Sequence, residues 1–218
     1  MGKFDLKRKL IAEFLGSAFL LLIVNGVVIM FDGTMDTTFM SAIAVPAILF
    51  VVIEIFGPIS GAHFNPFVTM IHYFEKEISA KDSFLYTTAQ ILGGLLGIII
   101  SHLMFLHHSG GLIFLSEIVR PDLEYFSEFV VTFMLILAIL ILTRVKSKNA
   151  SFVIPLLVGA NIISTSSTMF ANPQVTFARI FTNSAAGIRP FDGFVFIVMQ
   201  FIGALVAYLV YKYFFVKK

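Results

Sequence analysis

Six segments, 10–30, 39–59, 82–105, 124–143, 149–168 and 194–215, are long and apolar enough to cross a hydrocarbon layer. A crossing needs about 20 mostly apolar residues rising about 1.5 Å each. In lipid every backbone N–H and C=O must find an internal partner, which helices supply and open sheets do not. The chain is therefore predicted to be an all-α membrane protein with six transmembrane helices. Its composition agrees, with 58% of its residues hydrophobic and only 13% charged, against roughly a quarter charged in soluble domains. The basic residues ahead of segment 10–30 resemble the start of a signal peptide. That segment is too long for a signal's apolar region and has no clear small-residue cleavage pattern, so it reads as an uncleaved span.

Several function classes are excluded at this level. With no Cys, the chain has no disulfide, thiolate metal site or thiol nucleophile. A net charge of +2 without a large basic cluster does not suit a nucleic-acid partner. No nucleophile–base pair points to an enzyme, and no cofactor is implied. His102, His107 and His108 have no Cys, Asp or Glu at ligand spacing and read as interfacial or solvated, so no metal site is expected.

Charge gives the chain a direction. With the N-terminus placed in the cytoplasm, Lys3, Lys7, Arg8, Lys9, Lys76, Lys81, Arg144, Lys146, Lys148, Lys212, Lys217 and Lys218 all fall on the inner side. Only Arg120, Arg179 and Arg189 remain outside. Positive charge is retained on the cytoplasmic side of membrane proteins, so both termini are expected there. Compact loops and the lack of targeting extensions point to the inner membrane of a prokaryote.

The chain also repeats itself. Asn65-Pro66-Phe67-Val68-Thr69 recurs as Asn172-Pro173-Gln174-Val175-Thr176, Glu13 near the start of span one matches Glu128 in span four, and Gln90 matches Gln200. Gly93 and Gly97 match Gly203 and Ala207, small residues at i, i+4 that allow close helix packing in lipid. The repeats are 1–108 and 109–218, together one pore domain. Three spans in each half make the second half enter from the opposite side, an inverted repeat. Each Asn-Pro is followed by an apolar stretch of about half a crossing length, which reads as a re-entrant half-helix. Asn suits the N-cap and Pro the first helical position. Two such half-helices from opposite faces would bring Asn65 and Asn172 together near the midplane with their positive ends converging.

These residues resemble the major intrinsic protein family, the aquaporins and aquaglyceroporins, over essentially the whole chain. Ser60-Gly61-Ala62-His63-Phe64-Asn65-Pro66-Phe67-Val68-Thr69 is similar to the family's first signature, with Phe67 in the usual Ala place. The resemblance implies a homotetramer in membrane lipid, each protomer a passive pore for small neutral solutes. It implies that Glu13 and Glu128 support the loops behind the half-helices by accepting backbone N–H groups. The second motif departs, because the family's Asn-Pro-Ala-Arg is here Asn172-Pro173-Gln174-Val175. The family's spacing implies a selectivity filter of Val45, Ala160, Met169 and Val175, apolar and uncharged. Arg179 stands one helical turn past the usual arginine and need not substitute for it. Val in place of Arg removes a fixed charge and a donor fork. It resembles the aquaglyceroporin-like channels associated with arsenic resistance, whose implied substrates are polyols, water and neutral hydroxides such as arsenous acid.

Other roles stay open on the residues alone. Gln174 has two: facing the pore and narrowing it, or pointing back to brace its loop. Phe67 must point back if the pore is to be open. His63 lies at the inner mouth, as a pH-sensitive gate or as loop packing. Glu54 lines the inner vestibule or pairs with His63 or His72. A strict water channel, an inverted-repeat secondary transporter and a closed junction protein are the alternative functions.

Overall fold

The computed structural model describes residues 4–32, 36–109 and 111–215. Lys3, Lys217 and Lys218 of the orientation reading lie outside the described residues. Among those described, the elements are α1 (Leu6–Phe31), α2 (Thr37–Ser60), α3 (Pro66–Phe74), α4 (Ala80–Met104), α5 (Leu106–Ser109), α6 (Asp122–Arg144), α7 (Ala150–Ser164), α8 (Pro173–Arg179) and α9 (Pro190–Phe215). Five of them, α1, α2, α4, α6 and α9, are long and apolar enough to cross a membrane. The order long, long, half, long runs through α1–α4, and α6–α9 repeat it with a shortened second helix.

Helix α7 is the short one, with 15 residues where the sequence suggests a span to residue 168. Polar side chains end it. Asn161 Nδ2 donates to Leu157 O, Ser164 Oγ to Ala160 O and Thr165 Oγ1 to Asn161 O. Side chains that bond the backbone locally weaken the case for continuing a helix. The chain then turns back as a loop, 165–172, into the middle of the protein.

The long helices pack in matching pairs, α1 on α4 and α6 on α9, with α2 against α7. Glycine permits the close approach. A Cβ on Gly93 would overlap the Phe14 carbonyl oxygen, one on Gly97 that of Ala18, and one on Gly203 that of Phe129. Ala207 is fully buried on the same face of α9 as Gly203. In lipid, where apolar expulsion does not hold helices together, this contact does.

The link between the halves lies along the far end of the molecule. Ser116 N–H donates to Ile180 O at 2.7 Å and Arg189 N–H to Ile118 O at 2.8 Å. Arg120 is anchored through Nε and Nη2 to Gly187 O. Beside it His102 is 1% exposed, not interfacial or solvated as the sequence suggests. Its Nδ1 meets Leu112 O at 2.8 Å and its Nε2 Thr182 Oγ1 at 2.9 Å. Thr182 in turn reaches Asn25 Oδ1, so a buried polar network ties α1, α4 and the segment after α8.

Candidate functional site

The two half-helices meet end to end. Asn65 caps α3 by accepting from Phe67 N–H at 2.9 Å, and Asn172 caps α8 by accepting from Gln174 N–H at 3.1 Å. Pro follows each at the first helical position, where no amide donor is needed. Each Asn then uses its amide nitrogen across the junction. Asn65 Nδ2 donates to Ala171 O at 2.9 Å, and Asn172 Nδ2 donates to Phe64 O at 2.8 Å. One N–H of each amide is thereby used, and a second remains at a cavity wall that both residues line.

Behind each junction stands a buried carboxylate. Glu13 accepts from His63 N–H at 3.0 Å, Phe64 N–H at 2.8 Å, Ser60 Oγ at 2.6 Å and Gln90 Nε2 at 2.7 Å. Glu128 accepts from Phe170 N–H at 2.9 Å, Ala171 N–H at 2.8 Å and Gln200 Nε2 at 2.6 Å. Both are fully buried, a position a carboxylate holds only when well supplied with donors. The fifth motif residue completes the frame. Thr69 Oγ1 donates to Asn65 O and accepts from Gln90 Nε2, and Thr176 Oγ1 does the same between Asn172 O and Gln200 Nε2. The repetition of Thr in both motifs was the one signal of this role in the sequence.

The loops so held are strained. Ala62, Phe64, Met169 and Ala171 all have φ between 45° and 52°. That left-handed region is unfavourable for residues with a Cβ. With the amides of residues 63, 64, 170 and 171 drawn back to the carboxylates, the intervening carbonyls turn the other way. Among the described residues no donor reaches the carbonyls of Ala62, His63, Met169 or Phe170, and all four residues line the cavity.

That cavity has a volume of about 410 Å³. It extends from Thr37 and Thr38 at the start of α2 to Thr143 at the end of α6 and Ala150 and Ser151 at the start of α7. Four helices each give it an apolar stripe at i, i+4 spacing: Leu20 and Val24, Val45 and Leu49, Leu135 and Ile139, Val158 and Ile162. One wall thus carries acceptors and two amide donors, facing the apolar stripes, with hydroxyl side chains at the two ends.

Val45, Met169 and Val175 of the expected filter line the cavity and belong to one packed cluster. Ala160 does not. It lies exposed on the outer side of α7, and Val158 and Ile162 face the cavity. Two residues turn a helix by about 200°, so a position between two inward residues points out. Spacing borrowed from a family fails here because α7 turns Val158 and Ile162, not residue 160, toward the cavity.

Gln174 points back. It is fully buried outside the cavity lining, with Nε2 3.4 Å from Phe64 O and Oε1 against Gly94 of α4. Phe67 also points back, onto Phe201 at 5.9 Å between ring centres and into the cluster with Ala204 and Ala207. His63 lines the cavity with its ring stacked on His72 at 4.2 Å. Thr69 donates its proton to Asn65 O, so the network assigns a proton to His63 Nδ1, 3.1 Å from Thr69 Oγ1. Glu54 is exposed on α2, outside the cavity and with no ion pair among the described residues. Neither of its expected roles is met, because residue 54 lies about 100° round the helix from the cavity-lining Ile53. His72 pairs instead with Glu77, Nδ1 to Oε2 at 2.5 Å.

Comparison with known proteins agrees with this architecture. A family model described as major intrinsic protein matches residues 1–171, ending one residue before Asn172. The chain is 36% identical to the aquaglyceroporin AqpS of Rhizobium meliloti over 211 residues, 95% of this chain and 90% of that one. It is 32% identical to the glycerol uptake facilitator protein-like 6 of Lactiplantibacillus plantarum, across 66% of this chain and 68% of that one. The X-ray structure of the aquaglyceroporin from Plasmodium falciparum superposes with a TM-score of 0.74 at 19% identity, covering 95% and 96% of the two chains. The chain belongs to the major intrinsic protein family.

Proposed function

We propose that the chain is a passive channel for small neutral solutes: water, glycerol-like polyols and neutral metalloid hydroxides such as arsenous acid. The observation that carries this reading is the two-faced cavity, with unbonded carbonyls and two Asn amides along one wall and apolar stripes from four helices opposite them. A polyol presents hydroxyls on one edge and C–H on the other, so it exchanges water for the carbonyls while its carbon edge slides on the apolar stripes. A neutral hydroxide with several O–H groups uses the same acceptors. Ions lose more than these groups return, and the converging positive ends of α3 and α8 oppose cations.

Val175 supports the wider end of this substrate range. With Val45, Met169 and Val175 at the proposed filter, the bore there is apolar and no guanidinium springs from position 175. The channel is proposed to act as a homotetramer in the inner membrane of a prokaryote, with units 1–108 and 109–218 inverted about its midplane. Both termini then face the cytoplasm.

Stopped-flow light scattering of liposomes carrying the purified protein tests the reading. Glycerol and water are expected to equilibrate faster than in empty vesicles, with flux linear in concentration. Arsenite uptake by the same vesicles tests the metalloid range. Saturation at low glycerol concentration points to a carrier, and no acceleration of either solute sinks the channel reading.

A further inference from the structure

Three arginines stand at the end of the molecule away from the termini, and two of them are occupied. Arg120 bonds Ala185 O and Gly187 O and lies 3.8 Å from Glu124. Arg189 Nε bonds Asp192 at 2.8 Å. Arg179, the last residue of α8, differs. It is 6% exposed, lines the cavity, and has no carboxylate within ion-pair distance among the described residues. Its Nε bonds the Ala186 carbonyl, its one hydrogen bond among those residues. The guanidinium carbon lies 3.4 Å from the centre of the Phe170 ring. The ring and the Ala186 carbonyl hold the group in place and leave the N–H groups of both terminal nitrogens without a protein acceptor.

Position explains where those N–H groups go. Arg179 follows Val175 by four residues, so both lie on one face of α8. Helical side chains lean toward the N-terminus, which carries the Arg179 head back toward Val175 and the midplane. Phe170, the ring it rests on, adjoins Met169 in the loop. A buried, unpaired cation in a membrane protein is costly and marks function more often than packing.

Resting on the channel reading above, we propose that Arg179 is a specificity-determining residue of this pore. From one turn beyond Val175 it presents the N–H groups of its two terminal nitrogens to passing hydroxyls and a fixed positive charge to passing cations. The bore at Val175 stays wide because the head is held over the Phe170 ring rather than projecting across it. The apolar filter therefore retains a barrier to cations, supplied by a residue outside the family's usual position.

The test is the ratio of proton to glycerol flux in reconstituted liposomes, with oligomeric state and unfolding temperature as controls on folding. Removing the charge in Arg179→Met is expected to raise that ratio about tenfold, the size of effect a unit charge exerts at roughly 10 Å through protein. Arg179→Lys keeps the charge without the planar guanidinium over Phe170 and should raise it less. The double variant Val175→Arg/Arg179→Val moves the guanidinium back one turn and should return the ratio to near the native value. A well-folded Arg179→Met with the native ratio overturns the proposal, since a purely structural arginine would not alter ion selectivity. If Arg179→Met fails to fold, Arg179→Gln, which keeps a side-chain donor for the Ala186 carbonyl without the charge, replaces it, and an unchanged ratio there overturns the proposal equally. Native protein that passes glycerol but leaks protons freely overturns Arg179 alone. Native protein that passes neither water nor glycerol overturns the channel reading, and this proposal with it.

Discussion

Gln174 occupies the space that Gly94 leaves open on α4. A Cβ at position 94 would overlap Gln174 Oε1, while the other half of the chain sets Phe67 in one cluster with Ala204. Each half thus seats the third residue of its motif behind the pore, against a small residue of a long helix. Gly94→Ala is expected to destabilise the protein by about 1–3 kcal/mol, as overpacking does in a filled core. Thermal unfolding in detergent measures it. Adding Gln174→Ala should recover most of the loss, and no recovery would mean that the two side chains do not share this space.

Glu13 and Glu128 should behave as a matched pair. Replacing either by Gln removes an acceptor oxygen and aims an N–H₂ at backbone donors. Each change is expected to cost about 1–3 kcal/mol, the penalty of unsatisfied buried polar groups. Glycerol flux per folded protomer should fall with it, because the loops that present the carbonyls lose their anchor. A Glu128→Gln protein with native unfolding temperature and native flux would contradict the role given to the carboxylates.

The helix α7 register is open to a direct contrast. Val158→Phe places a ring in the bore and is expected to cut glycerol flux about tenfold or more, since pores select by diameter. Ala160→Phe points out of the bore and should leave flux within about twofold of native, as an outward residue is not part of the pore lining. The reverse result in stopped-flow would restore Ala160 to the filter.

Val175→Arg is expected to reduce glycerol and arsenite flux more than water flux. The new guanidinium would narrow a bore that already carries Arg179 one turn away. Equal loss of all three fluxes would indicate plugging or misfolding.

A pH dependence is expected at the end that carries the termini. Glu75, after the last turn of α3, accepts from Tyr208 at 2.8 Å and pairs with Lys212 at 2.5 Å. Burial pushes its carboxyl up, but the bonds from Lys212 and Tyr208 and the charges of Lys212 and Arg144 outweigh it. The group is left below its ordinary value of 4.5. A carboxyl depressed in the folded state contributes stability above its unfolded value and loses it as pH falls through the folded value. The unfolding temperatures of native protein and Glu75→Gln should therefore differ at pH 7 and converge well below pH 4.5. A difference that persists unchanged in acid would show that the ion pair is not its source.

Much of this was legible in the residues because lipid restricts the choices. Apolar length allows only helices, and the repeated Asn-Pro sets two half-helices against each other. Glu13 with Glu128 and Gln90 with Gln200 could be paired by repetition alone. Ala160 shows where that reasoning ends. Its place was counted along the chain, but the angle it presents depends on how α7 is rotated against α2 and the cavity, which the packing of the whole bundle decides.

By itself the sequence determined the fold class, the inverted repeat and the meeting of Asn65 with Asn172, because each follows from local pattern and the need to satisfy backbone groups in lipid. Only the tertiary structure decided which way the ambiguous side chains turn. Gln174 turned back because α4 offers Gly94 there. Glu54 turned outward with its face of α2, and His102 went inside because Thr182 and Leu112 reach it from distant parts of the chain. Arg179 gained its place at the cavity from the Phe170 ring and the Ala186 carbonyl. A side chain's direction depends on contacts with segments far away in sequence, and no local pattern encodes those.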